Sequence, residues 1–182
     1  MMTGRLIGVV GPSGVGKDTV MTALAVRCPG LGLVRRVITR PEDAGGEVFE
    51  GVSAARFEAL CQDEAFCLHW AAHGLRYGIP REIEGRLAAG EVLLVNLSRS
   101  VLRQAQARFA GFVTLHLTAP RNVLAERLAA RGRESARQIE ARLARSEFAL
   151  PDGLERAIEV VNAGALEQTL EMIEDQLYPV KA

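Results

Sequence analysis

Gly11-Pro12-Ser13-Gly14-Val15-Gly16-Lys17-Asp18 decides the fold of this chain. It fits the pattern G-x-x-x-x-G-K-[ST] at every position except the last. A short apolar run, Leu6-Ile7-Gly8-Val9-Val10, precedes it, and a helix-like segment from Lys17 to Arg27, closed by Pro29-Gly30, follows. In a strand–loop–helix of this kind the glycines let backbone N–H groups converge on phosphate oxygens. The helix N-terminus adds its dipole, and the lysine spans the β- and γ-phosphates. Gly11, Pro12, Ser13, Gly14, Val15, Gly16, Lys17, Asp18 and the hydroxyl of Thr19 are therefore the candidate ATP-binding residues. A Gly-rich turn with no ligand is the bland alternative. Lysine usage weighs against it: apart from Lys181, Lys17 is the one lysine in a chain whose other basic residues are arginine.

Asp18 is the departure. A hydroxyl at that position normally ligates Mg²⁺. A carboxylate can do so too, directly or through water, because Mg²⁺ prefers oxygen ligands and keeps several waters. The expected cofactor is Mg²⁺, with Asp18 as its candidate ligand and ATP as co-substrate.

Outward from the loop, apolar runs alternate with amphipathic segments, the pattern of an α/β protein with a parallel sheet flanked by helices. Strands are predicted over Leu33–Thr39, Phe66–Ala72, Val92–Val95, Phe112–Leu117 and Ile158–Val161. Ser53 is placed to cap a helix running to Gln62. Further helices are predicted over Arg81–Ala89 (stopped by Gly90), Val101–Phe109, from Pro120 to Ala130, and over Leu166–Leu177. Pro41–Val52 is polar and Gly-rich, hence loop. With no repeat, low-complexity tract or linker, residues 1–182 read as one domain.

Composition narrows the class of function. The chain has 182 residues, 48% of them hydrophobic and 24% charged, enough to bury a full core. Lys+Arg and Asp+Glu both number 22, which opposes a general nucleic-acid binder held by phosphate neutralisation. Cys28, Cys61 and Cys67 form no C-x-x-C pair, and His69, His73 and His116 show no metal-ligand spacing with them. No stretch is long and apolar enough to span a bilayer, and no signal peptide is recognised at the start. A cytoplasmic protein with reduced thiols is expected, with small-molecule partners, no nucleic acid and no membrane. A homodimer stays open.

Further stretches bring a family into view: Ile38-Thr39-Arg40, Trp70-Ala71-Ala72-His73-Gly74-Leu75-Arg76-Tyr77-Gly78, Leu94-Val95-Asn96-Leu97-Ser98-Arg99, and Arg131-Gly132-Arg133-Glu134 followed by Ala141-Arg142-Leu143-Ala144-Arg145. With the phosphate loop, they make the chain resemble the guanylate-kinase branch of the nucleoside monophosphate kinases along nearly all its length. Within that branch it is most similar to the ribose 1,5-bisphosphate phosphokinases. The resemblance implies a P-loop NTPase fold with a small acceptor-binding lobe over about 36–80 and an Arg-rich lid over about 131–145. It implies transfer of the γ-phosphoryl of ATP to ribose 1,5-bisphosphate, giving ADP and 5-phosphoribosyl 1-diphosphate, in the setting of phosphonate catabolism.

Differences from guanylate kinases point the same way. That family carries T-T-R-x-x-R-x-G-E, then a tyrosine, around the GMP phosphate. Here Arg40 stands at the first arginine and Asp43 at the second. Glu47 can take the place of the acid, and no tyrosine follows it before Val52-Ser53. The family's guanine-reading glutamate falls near Leu68, and its aspartate after the central strand is replaced by Asn96. A purine reader has lost its polar groups, which implies a non-nucleotide acceptor that still carries phosphate.

By the same resemblance Arg40, Glu47, Tyr77 and Asn96 are acceptor-binding candidates, and Asn162 matches the place where related kinases hold adenine. Arg76 and Tyr77 are neighbours in a strand-like segment, so they should face opposite ways. Arg127, Arg131, Arg133, Arg137, Arg142 and Arg145 crowd one stretch. They form either a solvated helix face paired with Glu126, Glu134 and Glu140 or a lid closing on the triphosphate. Guanidinium suits spreading phosphoryl charge, and Lys17, Arg131, Arg133 and Arg142 are the catalytic candidates. His73 reads as structural or surface, Trp70 as packing. Two rivals remain: a nucleoside monophosphate kinase, and a non-catalytic guanylate-kinase-like interaction module.

Overall fold

The computed structural model describes residues 4–42, 47–132, 135–146 and 149–178, the side chains of 145 and 146 excepted. Asp43, Gly45, Gly46, Arg133 and Glu134, and the side chain of Arg145, lie outside what is described.

Along the chain, β1 (Arg5–Val10) runs through the Gly-rich loop into α1 (Lys17–Arg27) and β2 (Leu31–Leu33). Next come β3 (Val37–Ile38), β4 (Glu50–Gly51), α2 (Ala54–Gln62), β5 (Phe66–Ala72), β6 (Leu75–Pro80) and α3 (Ile83–Ala88). The chain then forms β7 (Val92–Asn96), α4 (Leu102–Arg108), β8 (Val113–Thr118), α5 (Arg121–Ala130), α6 (Ala136–Ser146), β9 (Ala157–Val161) and α7 (Leu166–Leu177).

One sheet has five strands in the order β2-β7-β1-β8-β9, every pairing parallel. Its central strand β1 is buried on both faces, as a parallel sheet sandwiched by helices requires. Ile7 and Val9 pack with Val20 and Leu24 of α1 and Ile173 of α7. Leu6 and Val10, pointing the other way, pack with Leu102 and Ala105 of α4 and Ile83 of α3. The helix that begins the Gly-rich loop's far side is therefore bolted to the sheet by its own apolar stripe.

The second sheet is smaller, ordered β4-β3-β6-β5 and mostly antiparallel. Its β5–β6 hairpin turns at His73-Gly74, whose φ of +53° and +75° suit a tight two-residue turn. His73 is thus a turn residue. Ser53 caps α2 by accepting from the Arg56 N–H at 3.1 Å. α2 covers this sheet through Phe57, whose ring lies 4.8 Å from that of Phe66.

The predicted strand Leu33–Thr39 is in fact two. β2 belongs to the large sheet and β3 to the small one, and the Val34 N–H makes a last bond to Leu94 O at 2.9 Å before the chain crosses over. A continuous β-prone run records propensity but not the partner to which each residue pairs, so the break was invisible. Pro41–Val52 likewise contains the short strand β4 where a loop was expected. The helix predicted from Val101 starts as a 3₁₀ turn over Arg99–Val101 before α4 begins.

Candidate active site

The Gly-rich loop leaves the C-terminal end of β1 and enters α1. Gly14 and Gly16 have φ of +87° and +92°, a left-handed conformation that only glycine adopts without strain. Val15 between them is fully buried and anchors the loop in the core. Lys17, the first residue of α1, is half-buried and curls back so that Nζ donates to Gly11 O at 2.8 Å and Pro12 O at 3.3 Å. Burial lowers its pKa to about 8; Arg36 and Arg131 push the same way, and Asp18 and Glu47 oppose them. A lysine so tuned gains charge stabilisation when an anion arrives, which is what a phosphate-binding lysine needs.

Beneath the loop lies a brace. Asn162, buried at the end of β9, donates from Nδ2 to Val15 O at 2.7 Å and accepts at Oδ1 from Thr169 Oγ1 at 2.8 Å. Arg127 donates to Val15 O at 3.3 Å and to Asn162 O at 2.9 Å. Asn162 is the residue whose place in the chain matches the adenine site of related kinases. Its side chain is engaged on both ends inside the protein and shapes the loop.

The small sheet meets the loop from the other side. Asn96, buried at the end of β7, has its Nδ2 3.4 Å from Asp18 Oδ1 and 3.4 Å from Glu47 Oε2. Glu47 in turn accepts from Arg36, through Nε at 2.7 Å and through Nη2. The Arg36 guanidinium sits 5.1 Å from the centre of the Tyr77 ring, and Tyr77 stacks on Trp70 at 5.3 Å and 10°. Trp70 Nε1 donates to Ser98 Oγ at 2.8 Å. The two ends of this ladder both fasten to the segment that follows β7. Arg76 points away, over Phe57 and onto Glu58 at 2.7 Å, so Arg76 and Tyr77 do face opposite ways.

Of the acceptor candidates, Asn96 touches both Asp18 and Glu47, and Tyr77 is linked to Glu47 through Arg36. Arg40 stands apart from them. Its guanidinium lies 4.4 Å from the Phe49 ring, and its buried Nε has no hydrogen-bond partner among the described residues. Leu68 is core, 1% exposed and packed with Ile79 and Leu93, so it presents nothing to a base edge.

Arg36 is the residue that the sequence hides. Arg35-Arg36 is an arginine pair before a strand, and nothing in it separates exposed Arg35, bonded to Glu42 and Phe49 O, from Arg36 with 6% exposure. Only the alternation of strand faces could have hinted at it.

The arginine-rich stretch divides. Arg142 donates to Ser13 Oγ of the phosphate loop, carried there by α6, whose Leu143 is buried against the core of the large sheet. Arg131 is exposed and borders a cleft of about 870 Å³ lined also by Gly16, Lys17, Asp18, Thr19 and, on α7, Leu166. Arg127 is the brace already described, and Arg137 is exposed. Glu140 pairs with Arg121 at 2.9 Å.

Among the described residues one histidine pairs with a carboxylate. His116 Nδ1 lies 3.2 Å from Glu159 Oε2, a cross-strand pair of β8 and β9. Burial lowers the His116 pKa, which keeps the ring neutral near pH 7. Among the described residues neither side chain bonds to the phosphate loop. For a metal, Asp18 is the carboxylate next to the loop lysine, and no group of three or more His, Cys, Asp or Glu is gathered among the described residues. One carboxylate beside a triphosphate site fits Mg²⁺, which is held by one or two carboxylates plus phosphate oxygens and water. No described helix is long and apolar enough to cross a membrane.

A family model described as an AAA domain matches residues 7–147. The ribose 1,5-bisphosphate phosphokinase PhnN of Ruegeria sp. (strain TM1040) is 56% identical over 163 residues, spanning 90% of this chain and 86% of that protein. The same-named protein of Azotobacter vinelandii is 45% identical over 174 residues, 94% of each. Among solved structures, guanylate kinase from Anaplasma phagocytophilum superimposes with a TM-score of 0.64 at 19% identity, over 97% of this chain and 86% of that one. A gluconokinase from Sinorhizobium meliloti 1021 does so with a TM-score of 0.55 at 22% identity, over 94% and 89%. At those identities the two structures speak for the fold alone.

Proposed function

The chain belongs to the ribose 1,5-bisphosphate phosphokinase family, and from that premise we propose how its residues carry out the reaction. A 1-phosphate oxygen of ribose 1,5-bisphosphate attacks the γ-phosphorus of ATP. The bond from that phosphorus to the β-bridging oxygen breaks, ADP leaves, and 5-phosphoribosyl 1-diphosphate results. A role in phosphonate catabolism and a cytoplasmic setting are part of the proposal; three free cysteines suit a reducing compartment. Residues 1–182 act as one kinase domain, with the lobe over about 36–80 presenting the acceptor and the segment over about 131–145 closing on the donor.

The observation that carries this is the position of Asn96. One amide nitrogen touches both Asp18, next to the phosphate-loop lysine, and Glu47, on the acceptor lobe. Donor and acceptor sites thus converge within a side chain's length. Gly11 to Thr19 cradle the triphosphate, with Lys17 on the β- and γ-phosphates. Arg142, already on Ser13, and Arg131, at the edge of the cleft, spread the charge of the transition state; Arg133 joins them by its place in the stretch. Asn162 serves ATP binding by bracing the loop. Arg40, with its open buried donor, takes an acceptor phosphate, and the Tyr77 hydroxyl a further oxygen. Mg²⁺, when bound, neutralises phosphate charge, and Asp18 would hold it.

No general base is required. The second pKa of a phosphomonoester is about 6, so the attacking group is largely dianionic near pH 7. Positioning and charge neutralisation then suffice. The test is a pH profile of kcat/KM. Its acidic limb should follow the ionisation of the sugar phosphate, and His69→Gln, His73→Gln and His116→Gln should each retain it. A histidine variant that removes the limb and costs the 10²–10⁴-fold typical of a lost general base would refute the scheme.

A further inference from the structure

We propose that Arg36 sets acceptor specificity, by holding the Glu47 carboxylate beside the Asn96 amide so that the two together read the sugar hydroxyl next to the attacking phosphate. The proposal rests on the reaction assigned above and adds a residue and a contact to it.

The pair needs an explanation. The Arg36 and Glu47 side chains are 8% and 16% exposed, and burying an ion pair is a poor way to gain stability compared with an apolar pair of the same volume. The geometry shows what the pair does. Arg36 grips both carboxylate oxygens, through Nε and Nη2, which fixes the carboxylate plane as a single contact would not. Tyr77 beneath the guanidinium, stacked on Trp70, holds the fork itself still.

The charge pattern says which part of the substrate belongs there. Glu47 neutralises Arg36, so the pair attracts a phosphate dianion little, and the carboxylate repels it at close range. A carboxylate has spare lone pairs even when gripped, and the Asn96 side chain supplies an acceptor oxygen as well as its donor nitrogen. Such an array suits the hydroxyl of a sugar. Its place in the site says which hydroxyl. Asn96 is also 3.4 Å from Asp18, so the array lies at the reacting end of the acceptor. In ribose 1,5-bisphosphate the carbon adjacent to the reacting C1 bears the 2-hydroxyl. In a nucleoside 5′-phosphate the carbon adjacent to the reacting end is C4′, which bears the ring oxygen and no hydroxyl. One contact therefore selects for ribose over 2-deoxyribose and against nucleotides.

The experiment compares kcat/KM for ribose 1,5-bisphosphate and 2-deoxyribose 1,5-bisphosphate in the wild-type protein, in Arg36→Lys and in Glu47→Gln. The wild type is expected to favour ribose by about 10- to 100-fold, the range for losing a hydrogen bond to a charged group. Arg36→Lys keeps the charge and loses the fork; in it, as in Glu47→Gln, the ratio between the two sugars falls about tenfold towards one, whatever the absolute rates do. A role in folding alone lowers both sugars alike and leaves the ratio intact, which would overturn the proposal. So would a wild-type protein that uses both sugars equally, a result that needs no variant to fold. If ribose 1,5-bisphosphate is not phosphorylated at all, the assigned reaction fails, and that outcome is distinct from a reaction that proceeds without discrimination.

Discussion

The phosphate loop and the acceptor lobe are built on opposite principles. The loop is written in consecutive residues: Gly11 to Asp18 follow one another, two left-handed glycines set the backbone, and the ligand groups are largely main chain. The lobe is written in pairs far apart in sequence. Arg36 finds Glu47, Glu47 finds Asn96, Tyr77 finds Trp70 and Trp70 finds Ser98. A site made from backbone tolerates new partners around it, because its chemistry is local. A site made from side-chain ladders can be retuned by one residue, because each member is oriented by the next. This difference accounts for a proposed donor site that fits the general kinase pattern and a proposed acceptor site that departs from it.

The sharpest way to break that contrast is at Lys17. Lys17→Met should lower kcat on the order of 10²-fold or more, the scale for removing one preorganised charge from a developing oxyanion. Thermal unfolding should change little, since Nζ bonds only loop carbonyls. Turnover near the wild-type rate would show that the loop is not the donor site.

Asp18 stands where loop and lobe meet, and its substitutions should fall between the two regions in effect. Asp18→Lys puts a second cation beside Lys17 and abolishes the contact with Asn96. Asp18→Ser restores the hydroxyl usual in such loops. The lysine variant should lose far more activity, and the serine variant should stay active with a shifted Mg²⁺ titration. Identical Mg²⁺ curves in wild type and serine variant would remove any metal role from Asp18.

The pH dependence sharpens the same point. In the proposed scheme Lys17 binds phosphate as the cation; burial brings its pKa to about 8, so its charge is present below that pH and lost above it. kcat/KM, which reports the free protein, should decline above about pH 8. In kcat the limb should move upward, because bound phosphates favour the charged amine. A basic limb unmoved between the two profiles would assign it to another group.

The smallest of these effects belongs to the brace. Asn162→Ala leaves Thr169 Oγ1 and Val15 O short of a partner and should cost roughly 1–3 kcal/mol of stability in a denaturant melt. Its KM for ATP should rise more than its KM for the sugar, since the loop and not the lobe is loosened. A larger shift in the sugar KM would mean that the two regions are coupled through the large sheet.

How far the sequence could be read follows the same division. β1, the loop and α1 were legible to within one residue, because apolar run, glycines and helix are contiguous signals. The helices over Ala54–Gln62 and Leu166–Leu177 were likewise plain from a cap or an amphipathic stripe. The split of Leu33–Thr39 between two sheets was not, since pairing is a tertiary choice. Among site residues, Asn96 and Tyr77 were proposed by resemblance; Asn96 contacts Glu47 and Asp18, and Tyr77 lies against Arg36 and Trp70. The bracing contacts of Asn162 were not legible because its buried partners lie far from it in sequence, at Val15 and Arg127. Arg36 was passed over because burial is what distinguishes it from Arg35. The structural role of Arg127, in a stretch read as lid, was hidden for the same reason.

Acceptor choice tests the central claim most directly. ADP release should be followed with ribose 1,5-bisphosphate and with GMP under the same ATP and Mg²⁺ concentrations, and the two kcat/KM values compared. Leu68 in the core leaves a base edge unpaired at a cost of about 1–3 kcal/mol per polar group. Ribose 1,5-bisphosphate should therefore be the better substrate by a wide margin, with 5-phosphoribosyl 1-diphosphate as product. A kcat/KM for GMP equal to or above that for the sugar would contradict it.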